Sequence, residues 1–307
     1  MSGDSAYDAI AQEHTGDARW AFGTGFTAPL AGLPAGTGTA VPPDVPAGDL
    51  AVYCLMLGDD ALVLAQRLIE WCTDAPELEE EVALANIALD LLGQARLLLT
   101  RAGQADGTGR DEDALAYFRD PGEFRNVRLA EAGNGDFGRT IARLLVFATW
   151  RLAVFTRLAG SADPVLAAIA AKGVNELAYH RDYAAQWTLR LGLGTDESHR
   201  RLTAGLAALR PLLGELFAVH PVEDRLAGHG AAVRPEEVYG EVAAVLEQVR
   251  TAAGLDQPIL GTSASAPPPP PPPSAADSGR DGAHGAELVA LLAEMQSVAR
   301  EHPEATW

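Results

Sequence analysis

An all-α fold, an antiparallel helical bundle, is predicted from three observations. Ala and Leu outnumber Val, Ile and Thr in a 307-residue chain that is 48% hydrophobic, so good helix formers dominate. Four stretches repeat apolar residues at helical period, each over more than 20 residues, long enough for rods of about 30 Å. Two of the three links between them are only a few residues long, and short links make neighbouring helices antiparallel.

The first stretch covers about 50–71, with Asp49 available as its N-cap. The second opens at Asp74-Ala75-Pro76-Glu77, where Asp74 and Glu77 have capping-box spacing and Pro76 tolerates the first turn. It runs to about Arg101 and stops near Gly103. The third covers 137–158. The fourth starts at Asp163-Pro164, a cap followed by a first-turn proline, and ends at Gly192. Shorter helices are expected at about 197–217, 235–252 and 286–300, with Asp196 as an N-cap. Links at 72–76 and 160–164 close two hairpins, and the longer stretch 106–135 joins them. Hairpin, long crossover, hairpin is the ferritin-like arrangement.

Four regions follow. Residues 1–48, rich in Gly, Ala, Thr and Pro, read as a flexible extension. The bundle covers 49–258. Residues 259–284 read as a linker, because the seven consecutive prolines at 267–273 impose a polyproline II conformation. Residues 285–307 supply a last helix that packs on the bundle.

The formal charge of −19, from 23 Lys and Arg against 42 Asp and Glu, argues against binding to nucleic acid or to anionic membranes. It suits docking on a basic patch of a partner. Cys54 and Cys72 fall in apolar helical pattern and read as buried free thiols. No secretory signal pattern and no apolar run approaching the roughly 20 residues of a membrane span is visible, so a cytoplasmic protein is expected.

A ferritin-like bundle invites a ligand search. Di-iron members carry a Glu on each of two helices and a Glu-x-x-His on each of the other two, converging because residues three apart share a face. None of the seven histidines has Glu three residues before it. In Asp90-Leu91-Leu92-Gly93-Gln94, Leu91 stands where the Glu would be and Gln94 where the His would be. In Glu176-Leu177-Ala178-Tyr179-His180 the His is present, but Leu177 occupies the Glu position. The third helix is apolar around 145–149, and Asp59 or Asp60 is the one remaining candidate carboxylate. No ligand set for two irons results. Asp59, Asp90, Gln94, Glu176 and His180 are expected as a polar cluster in the core, with Gln94, Asp90 and His180 satisfying one another. A single metal at Glu176 and His180 is the alternative. The aromatics Trp150, Phe155, Tyr179, Tyr183 and Trp187 read as core or interface, and no nucleotide-binding or hydrolase motif is present.

Several runs carry a resemblance: Leu57-Gly58-Asp59-Asp60, Glu70-Trp71-Cys72, Ala83-Leu84-Ala85-Asn86-Ile87, Leu89 through Arg96, Thr140-Ile141-Ala142-Arg143, Tyr179-His180, Leu292 through Gln296, and Trp307. Over about 49–258 and 279–307 the chain resembles the C-subunit family of bacterial phenylacetyl-CoA epoxidases (ring 1,2-phenylacetyl-CoA monooxygenases). In that family the di-iron centre and the thioester site belong to a related catalytic A subunit, with which the C subunit pairs in a structural role. A small B subunit bridges the pairs, and a reductase with FAD and a 2Fe-2S cluster supplies electrons. The resemblance therefore implies a structural subunit, without a cofactor of its own, in aerobic phenylacetate breakdown. No metal ligand of the family carries over. Two other readings stay open: a catalytic oxygenase with a degenerate metal site, and a free-standing helical binding module.

Overall fold

The computed structural model describes residues 30, 33, 37–260 and 278–305, so the proline run and Trp307 lie outside the described residues. The described residues are helical, without strands. Four long helices form the bundle: α1 (Ala47–Ile69), α2 (Leu78–Ala105), α5 (Phe137–Leu158) and α6 (Pro164–Leu193). The short α3 (Glu112–Tyr117) and α4 (Arg128–Glu131) lie in the crossover between the two hairpins. After them come α7 (Asp196–Leu209), α8 (Pro221–Gly228), α9 (Tyr239–Ala252), α10 (Ala286–Met295) and α11 (Ser297–Glu301). The α1–α2 and α5–α6 hairpins are the most extensive packings, α2 meets α6, and α7 covers α5.

Chain ends of the helices mostly follow their caps. Asp136 accepts from the Arg139 N–H (2.9 Å) and Asp163 from the Leu166 N–H (2.8 Å), which fixes the starts of α5 and α6 as expected. Three expectations fail locally. Asp49 is not a cap; α1 begins after Pro46, and Asp49 pairs in the first turn with Arg225 (2.7 Å). The Asp74 capping box does not form, because Asp74 and Ala75 are still donating to the Trp71 carbonyl in the turn, and α2 starts four residues later. Thr195, not Asp196, caps α7, its hydroxyl accepting from the Ser198 N–H (3.1 Å).

The helix expected over 197–217 changes to a 3-10 helix at Arg210–Phe217, where Pro211 removes an N–H. Helix α8 was not anticipated; it is one of the shortest and takes its cap from the His220 ring. Cys54 is buried, but Cys72 lies just beyond α1 and is partly exposed.

Parts of the segments flanking the bundle pack against it. Val45 is buried, and the buried Arg101 donates to the Thr39 carbonyl (2.5 Å), so these two residues are held against the bundle. Ile259 and Leu260 are also buried. At the other side of the proline run Arg280, placed in the linker by sequence, is buried and makes a bidentate ion pair with Asp60 on α1 (2.9 and 3.0 Å). Its guanidinium also donates to the carbonyls of Met56 and Arg125 (2.9 and 2.8 Å). Helix α10 buries Leu288, Leu291 and Leu292, and the Gln296 amide donates to the carbonyls of Ala116 and Arg119 in the crossover.

Among the described residues one helix, Leu78–Ala105, is long and apolar enough to cross a membrane by length and composition alone. Its apolar residues Leu84, Ile87, Leu91 and Leu98 are instead buried within the bundle.

Two predictions follow from these contacts. Arg280→Ala leaves Asp60 buried without its cation and should cost about 3–5 kcal/mol, read as a shift of the urea midpoint. His284 should add a pH dependence. Its Nδ1 faces Glu131 (2.7 Å) and its Nε2 the Phe124 carbonyl (3.0 Å), two acceptors that only the imidazolium can serve together. Burial lowers its pKa, but the hydrogen bonds to Glu131 and Phe124 outweigh it, and the net shift is upward. A raised folded-state pKa gives stabilisation that is complete below the unfolded value of about 6.5 and is lost as pH rises through the folded value. The deficit of His284→Ala relative to wild type, measured by thermal melts, should therefore be largest near pH 6 and shrink at alkaline pH.

Candidate functional site

The residues singled out by sequence fall into two separate places. On one side of the bundle α2 and α6 run antiparallel, since Asp90 meets His180 while Gln94 meets Glu176. His180 Nε2 lies 3.0 Å from Asp90 Oδ2. The imidazole is buried and the carboxylate part-exposed. Burial lowers the His180 pKa, the Asp90 hydrogen bond opposes this, and the net direction is down. The ring is thus neutral at pH 7 and carries its proton on Nε2, facing the carboxylate, which leaves Nδ1 as an acceptor.

Gln94 does not join that pair. Its Nε2 donates to Glu176 Oε2 (2.9 Å), and its Oε1 accepts from Arg151 Nε on α5 (3.0 Å). A carboxylate on one side and a cation on the other fix the orientation of the amide. Burial raises the Glu176 pKa, with the Gln94 bond opposing and the Asp90 charge reinforcing. The cluster is therefore two units, Asp90–His180 and Glu176–Gln94–Arg151, rather than one.

Asp59 is not part of it. It lies on α1, fully buried, and pairs with Arg119 of the crossover (3.0 Å) while accepting from the Arg125 N–H (2.8 Å). Its neighbour Asp60 pairs with Arg280 and accepts from the Val127 N–H (2.8 Å). These acids anchor flanking chain to α1 by hydrogen bonds, and Asp60 touches the cluster only through its charge, which favours the Arg151 cation.

Sequence reasoning missed Arg151. It is fully buried in the helix that was read as apolar. Its guanidinium lies 4.3 Å from the Phe155 ring centroid and 5.7 Å from that of Phe147. Gly173 permits this arrangement, since a Cβ there would come within 2.8 Å of the Phe155 ring. Burial brings the Arg151 pKa down to about 10, so the group remains a cation at neutral pH. Its Nη1 and Nη2 make no hydrogen bond among the described residues. The available signal was a lone Arg in the run Phe147-Ala148-Thr149-Trp150-Arg151-Leu152-Ala153-Val154-Phe155, since an arginine inside an apolar helix face must be matched by a partner on another helix.

This donor set does not fit a di-iron pair. Leu91 and Leu177 are fully buried at positions where Glu would be needed, Gln94 replaces a His, and the third helix directs a fixed positive charge at the cluster. His180 engages Asp90, and Glu176 engages Gln94, so the two candidate ligands of a single metal are not turned toward each other. Elsewhere, Glu77, Glu79 and Glu80 bring carboxylate oxygens within 4.8 Å of one another at the start of α2.

Gln94→Ala tests the network. It removes the one hydrogen-bond acceptor of Arg151 and the amide donor to Glu176. The expected loss is about 3–5 kcal/mol in urea unfolding, whereas a change at a solvated helical Gln such as Gln186 should cost under about 0.5 kcal/mol.

Comparison with known proteins gives the family of the chain. The chain is 42% identical over 258 residues to the C subunit of the 1,2-phenylacetyl-CoA epoxidase of Escherichia coli (strain K12), a match that covers 84% of this chain and 99% of that protein. Residues 36–307 match the family described as phenylacetic acid catabolic protein. With that match spanning nearly all of the chain, including both hairpins and the segment that carries Arg280, the chain belongs to the phenylacetic acid catabolic protein family.

Proposed function

We propose that this chain is the non-catalytic structural subunit of a multicomponent di-iron monooxygenase that epoxidises the ring of phenylacetyl-CoA in aerobic phenylacetate catabolism. In this reading it supports a catalytic A subunit that holds the two irons. A small B subunit bridges the pairs, and a reductase with FAD and a 2Fe-2S cluster delivers the electrons. The observation that carries it is the composition of the bundle core: Leu91, Gln94 and Leu177 at ligand positions, with the Arg151 guanidinium bonded to Gln94. Oxygen activation needs a redox centre, and these side chains offer hydrophobic contact, an amide and a fixed cation in place of carboxylates and imidazoles.

The fold meanwhile retains the side-chain caps of α5 and α6, short turns and long apolar faces. A helical bundle of this kind can hold a sister bundle by burying helix faces against it, keeping the partner's metal-bearing helices in place. The acidic surface helps to align the two before they dock.

Reconstitution tests the reading. The catalytic partner with its reductase should form epoxide when this chain is present and lose most turnover without it, while this chain with reductase alone should form none. Elemental analysis after iron loading should give well under one iron per chain, and Gln94→His should not change that, since the carboxylates are still missing. Two irons per chain, or full turnover in its absence, would overturn the assignment.

A further inference from the structure

Resting on the structural-subunit reading, we propose that the outer face formed by α2 and α6 is where the metal-bearing helical partner docks. Five of the large apolar side chains left exposed lie on these two helices: Leu78 (70% exposed), Val82 (51%) and Leu89 (60%) on α2, and Tyr179 (54%) and, at its last residue, Leu193 (65%) on α6. At about 100° per residue, positions 78, 82 and 89 fall within about 40° of one another, so they form a stripe and not a scatter. Leu89 and Tyr179 each precede one member of the Asp90–His180 pair, which places the two apolar side chains beside each other across the α2–α6 seam. Leu92, Ala178 and Tyr183, all partly buried, extend the surface along that seam. Single exposed leucines are ordinary in soluble proteins, but an aligned set on two adjacent helices marks an interaction face.

The size and charge of the face point to one kind of partner. Helix α2 has 28 residues, about 40 Å of length, and two neighbouring helices are about 20 Å wide. That strip of about 800 Å² matches one side of a standard protein–protein interface. At the N-terminal end of the stripe Glu77, Glu79 and Glu80 crowd their carboxylates, Glu81 follows, and no Lys or Arg pairs with them among the described residues. A partner that brings basic side chains to this end relieves the crowding and fixes the register of docking. A second copy of this chain is disfavoured, because each copy carries a formal charge of −19. The occupant assigned is therefore a different helical bundle with a flat apolar helix pair and Lys or Arg at one end.

The test uses the full chain co-expressed with the metal-bearing partner. Hydrogen exchange of the complex against the free chain should show new protection over 78–93 and 172–186. The double substitution Leu89→Asp with Tyr179→Asp should weaken the complex at least tenfold with an unchanged melting curve, while Val298→Asp on α11 should leave affinity unaltered. Glu79→Lys with Glu80→Lys should slow association at low salt about tenfold and flatten its salt dependence. If the complex forms but these variants bind normally and protection appears elsewhere, the assigned face is wrong and the structural-subunit reading survives. If the wild-type chain forms no complex, both fall. Cross-links that join residues 1–29 or 261–277 to this face in the free chain, or a homodimer abolished by the Leu89 and Tyr179 changes, would overturn the assigned occupant.

Discussion

Asp59 and Asp60 sit side by side near the middle of α1 with no exposure to solvent, and the irregular parts of the chain are positioned by what those two carboxylates require. An ionised carboxylate removed from water costs several kcal/mol unless cations and N–H donors surround it. Asp59 is met by Arg119 and the Arg125 N–H, Asp60 by Arg280 and the Val127 N–H. Both N–H groups belong to the crossover, so its path over α1 is specified by hydrogen bonds. Arg280 then brings the segment after the proline run to the same place. His284 on Glu131, and Gln296 on the crossover carbonyls, complete the attachment of α10. A crossover with little regular structure is thus tied to α1 by both carboxylates.

The contacts between α2, α5 and α6 solve a related problem with different chemistry. In di-iron bundles, metal ions tie polar side chains from four helices together. Here Gln94 and Arg151 tie α2, α5 and α6 by directed hydrogen bonds, with one fixed positive charge in place of two divalent ions. A guanidinium cannot change oxidation state or take up oxygen, but it is planar, permanently charged and bonded to its own chain. The polar interior between these helices is thus joined by side chains of the chain itself.

The architecture was legible because its signals are local. Asp163-Pro164 announces α6, and the apolar period of 137–158 reproduces α5 at both ends. Capping was less legible where the chain had a competing use for the acid, as when Asp49 turned to Arg225 and Asp74 stayed within its turn. The cluster was read only in part. Spacing places Asp90, Gln94, Glu176 and His180 on facing helices, but it does not say which pairs with which. That choice is made by Arg151, whose partner lies 57 residues away. Asp59 was assigned to the wrong place for the same reason: its partner Arg119 is 60 residues distant, in a crossover without periodicity. The packing of Arg280 was hidden by the prolines that precede it, which made the whole stretch look like linker.

The Asp60–Arg280 pair spans 220 residues of sequence. During synthesis the first hairpin emerges well before Arg280 exists, at a ribosomal rate of about 5–20 residues per second. For at least ten seconds or so, α1 thus carries a carboxylate that its apolar surroundings cannot accept in charged form. The hairpin can collapse in that interval, but Asp60 then lacks the guanidinium that pairs with it in the finished fold. A product truncated before Arg280 is therefore expected to pack less tightly around α1 and to be cut faster by protease than the full chain, because the last cation to reach the buried acid arrives 220 residues after it.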